Sequence, residues 1–405
     1  MTTAAPFSNP FRPGAGHRPP YLAGRKQEQA EFRRLLDQDV VLDNLVLTGL
    51  RGVGKTVLLE ELKPIALQQG WLWVGTDLSE SVSVSESNLA LRLITDLSVV
   101  TSTIKIREVE KLGFGIGGKM STEEVMLGYE VLLSIFNTTP GLTVDKLKAV
   151  LAVVWPAVVA SGKRGVIFAY DEAQNMSDHA TKDQYPLSVL LDLFQSVQRQ
   201  GAPFLLVLAG LPTLFPKLVE ARTYSERMFR VLFLKQLSEK ESKQAILTPV
   251  ESTKCPVKFA DHATSMIYQY SGGYPYFIQF ICREAYDSYL QKLSDGQQPN
   301  VPIAEIIRKL DTDFFAGRWA RVTDRQQELL FVIANLDSSS SEFTVQDILV
   351  KAEQTLEKPF SRSHINQLLT SLIGSGLVYR DRHGKYLFAV PLMNDFILRT
   401  MTGTI

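Results

Sequence analysis

The chain has 405 residues, 45% of them hydrophobic, and balances 43 Lys and Arg against 43 Asp and Glu. That length suits two or three packed domains. The zero formal charge excludes a global pull toward nucleic acid or acidic lipid, so any such binding must come from a local patch. The two cysteines, Cys255 and Cys282, are far apart and lack metal-ligand spacing, which predicts two buried free thiols in a reducing compartment. The N-terminal stretch has no apolar signal core. The longest apolar run, Ala149 to Ala160, contains Pro156 and is shorter than the roughly 20 residues that span a bilayer. A soluble cytoplasmic protein without a membrane partner is expected.

Residues 1–20 are rich in Pro and Gly and read as irregular. A helix is expected over about 25–37. A short buried strand, Asn44 to Leu50, then runs into a Gly-rich turn, with a helix from Thr56 to Leu67 behind it. Four further apolar runs follow, at Trp71–Leu78, Gly165–Gln174, Ala202–Pro212 and Arg230–Leu237. Continuous rather than alternating apolar strands, separated by helix-length segments, indicate a parallel sheet covered on both faces.

Residues 100–140 interrupt that rhythm. Ile104 to Met120 alternates polar and apolar around a Gly-rich tip and reads as an inserted hairpin or loop. Its GFGIGG has no strand-to-helix transition and no following acidic residue, so no second nucleotide site is assigned there. From Ser238 to about Phe315 the pattern is helical, broken at SGGYP (Ser271 to Pro275). Helices at Glu328–Leu336, Val345–Glu353 and Ser363–Ser375 follow. Two alternating strands around His383-Gly384 complete the pattern of a winged helix-turn-helix.

The chemistry concentrates at GLRGVGKT, Gly49 to Thr56, which satisfies G-x-x-x-x-G-K-[ST] directly after a strand and before a helix. Glycines there let the backbone wrap phosphates and turn its N–H groups inward at the positive end of the helix. Gly49, Arg51, Gly52, Val53, Gly54 and Val57 are therefore expected around a bound ATP. Lys55 is expected to reach its β- and γ-phosphates, and the Thr56 hydroxyl to ligate Mg²⁺. In VIFAYDEAQ, four apolar residues carry Asp171 to the C-terminal edge of the sheet, where ligands of open α/β sheets bind. Asp171 is the second Mg²⁺ candidate, and Glu172 is placed to polarise the attacking water. The run FLLVLAGLP ends in Ala209, Gly210 and Leu211, with only Thr213 polar nearby; no γ-phosphate sensor is evident at its tip. Arg222, Arg227 and Arg230 cluster before the last strand. In an oligomer, Arg227 or Arg230 is the candidate to meet a neighbour's γ-phosphate.

These motifs, in this order, resemble AAA+ ATPases of the STAND and origin-initiator type, especially the Orc-like group also called archaeal-type ATPases. The resemblance runs over roughly residues 19–400. It implies an α/β P-loop core of the AAA+/ASCE class at 21–237, a helical lid at 238–318 and a C-terminal winged helix at 323–400. PPYLAGRKQEQAEF resembles the opening motif of that group, which implies a base pocket at Leu22, Gly24 and Arg25. GGYP matches the lid position where STAND proteins carry Gly-x-Pro, which implies nucleotide contact by Pro275. The resemblance also implies a nucleotide-driven switch with slow turnover more than a processive motor, and a homo-oligomer or protein partner.

Whether DNA is a partner turns on the winged helix. Lys358, Arg362, Arg380, Arg382 and Lys385 outnumber Asp381 over the candidate recognition helix and wing. Arg362, Arg380, Arg382 and Lys385 are candidate phosphate contacts, and Asn366 and Gln367 candidate readers of base edges. The first helices carry Glu328, Asp347, Glu353 and Glu357. A module that clamps the ATPase core or a protein partner fits the sequence as well.

Overall fold

A computed structural model describes residues 7–14, 16–112, 120–252, 255–382 and 384–403. The GFGIGG segment and His383 lie outside the described residues. The chain forms two compact units: Lys26–Thr48 with Leu58–Phe233, and Met1–Arg25 and Gly49–Val57 with Leu234–Ile405.

The first unit is α/β. In chain order the elements are α1 (Lys26–Leu36), β1 (Asn44–Thr48), α2 (Lys55–Gln68), β2 (Trp71–Val74), α3 (Glu86–Thr101), β3 (Lys105–Leu112), β4 (Met120–Met126) and α4 (Tyr129–Thr138). They continue with α5 (Thr143–Ala160), β5 (Gly165–Tyr170), α6 (Pro186–Arg199), β6 (Phe204–Gly210), α7 (Leu214–Ala221), α8 (Ser225–Met228) and β7 (Phe229–Phe233). The first three residues of α2 group with the second unit.

Five strands form one sheet in the order β2-β5-β6-β1-β7, and every neighbouring pair is parallel. The uninterrupted apolar runs explain the three inner positions: every residue of β1, β5 and β6 is buried, as strands covered on both faces require. The outer strands β2 and β7 leave part of their surface exposed. Both are shorter than the sequence predicts. β2 stops at Val74, because Gly75 passes so close to β5 that a Cβ there would lie 1.9 Å from the Ala169 carbonyl oxygen; the chain pairs once more, Asp77 with Asp171. β7 ends at Phe233, and Leu234 opens the second unit. The core is aromatic at its centre, with Phe168 edge-on to Phe194 at 5.2 Å. In the insertion, β3 and β4 pair antiparallel with each other, as a hairpin should.

The second unit is helical apart from one ribbon. Its elements are α9 (Glu239–Ser252), α10 (Asp261–Ser271), α11 (Pro275–Ser294), α12 (Ile303–Leu310), a π-helical stretch (Asp311–Phe315), α13 (Ala316–Trp319) and α14 (Asp324–Ala334). α15 (Val345–Thr355), α16 (Arg362–Gly374), β8 (Val378–Arg382), β9 (Lys385–Phe388) and α17 (Met393–Thr402) follow. The last helices are capped in sequence-legible ways. Thr344 and Asp347 form a capping box on α15, and the Ser361 hydroxyl accepts from the His364 N–H on α16. Ile365, Leu369 and Leu372 point α16 into the core, where Phe315 stacks on Phe396 at 5.0 Å.

The N-terminal stretch is irregular, as its composition predicts, but it is anchored. Phe11 is 3% exposed, between the rings of Phe259 and Tyr286. The Asn9 amide donates to the Arg283 carbonyl and the Asp287 carboxylate. Cys255 and Cys282 are free and buried, and burial pushes the Cys282 thiol well above its ordinary value. Among the described residues, no helix is long and apolar enough to cross a membrane.

Candidate functional site

The Gly-rich loop follows β1 directly. Gly52 and Gly54 sit at φ 78° and 89°, in the region that penalises any Cβ. Lys55 opens α2 and is 9% exposed. Its ammonium donates to the carbonyls of Gly49 (2.9 Å) and Leu50 (3.0 Å), so the loop curls around the Nζ group. Val53 is buried, Thr56 and Val57 are half-buried, and Arg51 is exposed.

Two contacts within the same unit brace this loop. Arg25 is 6% exposed, and its Nη2 donates to the carbonyls of Val53 (3.0 Å) and Lys235 (2.8 Å). The resemblance implies a base pocket at Leu22, Gly24 and Arg25; the structure engages the Arg25 guanidinium with loop backbone, beside a half-buried Leu22. The second brace is the GGYP turn. Pro275 is the first residue of α11, and the next N–H, of Tyr276, donates to the Gly52 carbonyl at 3.2 Å. Gly273 is required here, since a Cβ would lie 2.4 Å from the Leu237 carbonyl oxygen, whose own N–H binds the Gly273 carbonyl.

Arg25→Ala therefore leaves two carbonyls without their charged donor. The cost is about 2–6 kcal/mol, from roughly 1–3 kcal/mol for each of the two polar groups stripped of its partner. Arg25→Lys recovers only part, because one ammonium cannot reproduce the guanidinium fork. Urea unfolding measures the loss; an unchanged midpoint in Arg25→Ala would show that the brace contributes nothing.

In the α/β unit, β5 ends at a fully buried Tyr170, whose hydroxyl donates to Asp96 at 3.0 Å. Asp171 follows, 4% exposed. Its backbone N–H binds the Thr76 carbonyl, and its own carbonyl accepts from Leu78. The Asp171 Oδ1 accepts the Glu172 N–H at 2.8 Å. Glu172 is exposed with φ 51°, an uncommon conformation for a residue with a Cβ and one that concentrates at functional turns.

Sequence reasoning missed Gln174. Its side-chain amide donates to the Glu172 carboxylate and its carbonyl oxygen accepts from the Leu211 N–H at 3.0 Å. Gln174 thus brings a polar group to the tip of β6, where the strand's own residues supply none. Gly210 makes room for it: a Cβ there would lie 2.7 Å from the Gln174 oxygen. The only sequence signal was the fourth letter of DEAQ and a glycine closing an apolar strand.

The three arginines separate clearly. Arg222 forms a double hydrogen bond with Asp192, which also accepts from the Tyr224 hydroxyl. Arg230 pairs with Glu31 at 2.7 Å and Asp43 at 3.3 Å. Arg227, on α8, is exposed and has no ion-pair partner among the described residues.

In the C-terminal helices and ribbon, α16 exposes Arg362, Asn366 and Gln367. Arg362 donates to the Gln346 amide. On the ribbon, Arg380 is exposed and Lys385 half-buried; the backbone of Arg382 ends β8.

Comparison with known proteins adds the following. A family model described as "Domain of unknown function (DUF8462)" matches residues 312–397. A search of curated proteins finds no match. Among solved structures, a Walker-type ATPase of Pyrococcus abyssi is similar over 94% of this chain and 97% of its own, with 14% identity and a TM-score of 0.58. The ORC2 protein of Aeropyrum pernix, solved as ADPNP-ADP complexes, is similar over 96% and 98%, with 14% identity and a TM-score of 0.54. Its ADP form gives 0.55 at the same identity. The chain shares the fold of these two proteins over nearly its whole length.

Proposed function

We propose that this chain is an ATP-binding and ATP-hydrolysing switch, whose nucleotide state governs a C-terminal winged helix that contacts DNA. The observation that carries the reading is the loop Gly49–Thr56: a glycine-rich turn closed on a buried Lys55, at the start of a helix. The backbone of Gly49, Arg51, Gly52, Val53, Gly54 and Val57 surrounds the phosphates, and Lys55 exchanges its two carbonyl partners for phosphate oxygens. Leu22, Gly24 and Pro275 border the nucleotide, and Arg25 holds the loop in shape.

The Thr56 hydroxyl of the second unit and the buried Asp171 carboxylate of the first are each a hard oxygen donor of the kind Mg²⁺ takes alongside substrate phosphates. If held by these residues, the ion would supply neutralisation of phosphate charge. Glu172 orients and deprotonates the attacking water, with its carboxylate held by Gln174. Of the two arginine-finger candidates, Arg227 suits a role toward a second copy, since Arg230 is engaged by Glu31 and Asp43.

The switch reading draws on contacts the loop already makes within its own unit. Gly52 is bonded to Tyr276 of the lid turn, and the Arg51 guanidinium lies beside Gly376, just before the ribbon. A phosphate-driven change in the loop reaches both. For the DNA contact, the support is the exposed set Arg362, Asn366, Gln367 and Arg380, with Lys385 and Arg382 on the ribbon.

The test is duplex-DNA binding by the full chain, with and without Mg-ATP, across a salt series. We expect nucleotide-modulated affinity that falls steeply with salt. In Arg380→Ala/Lys385→Ala the log–log salt slope should shrink by about 2, close to one for each phosphate that the variant leaves unneutralised. Absence of DNA binding, with an oligomer size that changes with nucleotide, would replace DNA by a protein partner.

A further inference from the structure

Arg51 points into a feature that the ATP reading does not use. A cavity of about 510 Å³ opens beside it within the second unit, lined by Arg51, Arg318 and Arg321 together with Phe314, Asp313 and Gln326. Three guanidinium groups face one carboxylate. Among the described residues, neither Arg51 nor Arg321 has an ion-pair partner. Arg318 lies over the Phe314 ring at 4.4 Å and donates to the Phe314 carbonyl. Burial, and then the like charges of Arg51 and Arg321, hold the Arg318 guanidinium below its ordinary value. The floor of the cavity borders the π-helical stretch Asp311–Phe315, a geometry that recurs at functional sites.

Such a cluster is costly to assemble without a counter-charge. Guanidinium forks match phosphate oxygens two at a time, so phosphate is the counter-charge that suits them. The enclosing volume is within the roughly 300–1,000 Å³ of small-ligand pockets. Asp313 argues against a continuous phosphate backbone, which it would repel, while its carboxylate and the Gln326 amide suit the hydroxyl or amino groups of a compact ligand. The Phe314 ring gives such a ligand an apolar wall.

We propose that Arg51, Arg318 and Arg321 form a second anion site, apart from the cradle around Lys55, that takes a small phosphorylated molecule carrying at least two negative charges. Arg51 belongs to the Gly-rich loop and touches the approach to the ribbon at Gly376. Occupancy of this site therefore bears directly on the loop's conformation. The inference does not depend on ATP being the ligand of Lys55.

Inorganic pyrophosphate is the probe, titrated calorimetrically into full-length Lys55→Ala so that the Lys55 cradle contributes little. One binding event is expected. Adding Arg318→Gln and Arg321→Gln should weaken it at least about tenfold, equivalent to about 1.4 kcal/mol. The exposed Arg321→Gln alone, which leaves the core untouched, should weaken it severalfold with an unchanged melting curve. No pyrophosphate binding in Lys55→Ala, or binding indifferent to both arginine variants, would overturn the proposal. So would a single-stranded oligothymidylate that binds through these arginines where pyrophosphate does not. ATP titration of the wild type against Lys55→Ala reads the Lys55 site separately.

Discussion

Glu172→Gln is expected to lower ATP turnover about 10²–10³-fold while leaving ATP affinity intact, the range that loss of a positioned general base produces. The substitution is nearly isosteric and keeps a hydrogen-bonding group in front of Gln174. The backbone at φ 51° and its bond to Asp171 remain as they are. Only the ability to take a proton from water is removed. The ATP-bound form should accumulate, which makes this variant the means of isolating the switch in one state. Steady-state hydrolysis and equilibrium ATP binding measure the two halves of the expectation; undiminished turnover would move the base to another residue.

Lys55→Ala should act on the other quantity. An ammonium bonded to two phosphate oxygens contributes roughly 1.5–3 kcal/mol per charged hydrogen bond, so affinity for ATP should drop by about two to four orders of magnitude. Folding should suffer by about 1–3 kcal/mol, because the buried Gly49 carbonyl loses its charged donor; the half-buried Leu50 carbonyl loses less. Fluorescent-nucleotide titration checks the affinity, and a thermal melt checks that the fold is retained. Wild-type affinity in this variant would remove the loop from nucleotide binding altogether.

What the sequence made legible was whatever depends on neighbours along the chain. Leu45–Leu47, Val166–Tyr170 and Phe204–Ala209 are apolar without interruption, and they lie in the three inner strands of the sheet. GLRGVGKT announces its own turn because backbone at positive φ, as at Gly52 and Gly54, demands glycine at fixed offsets. The α15 and α16 caps are equally local. What stayed hidden depends on contacts across long separations. Arg25 looked like part of a base pocket, yet its guanidinium reaches Val53 and Lys235. Phe11 sits in a stretch of Pro and Gly that composition reads as loose, yet it is buried. The tip of β6 lacks a polar side chain of its own, and Gln174 supplies one from the neighbouring turn. Periodicity carries no information about such partners.

The division of the chain into units has a consequence for how it can be taken apart. The boundary is crossed at 25/26, 48/49, 57/58 and 233/234, so neither unit is a contiguous stretch of polypeptide. A fragment from residue 234 onward would carry the lid turn and ribbon but lose Gly49–Val57, the segment that Tyr276 grips. A fragment ending at 233 would keep that loop and strip it of its Arg25–Lys235 brace. Modularity at the level of the gene is therefore absent here: a cut at any one of these boundaries parts Gly49–Val57 from a segment it is bonded to.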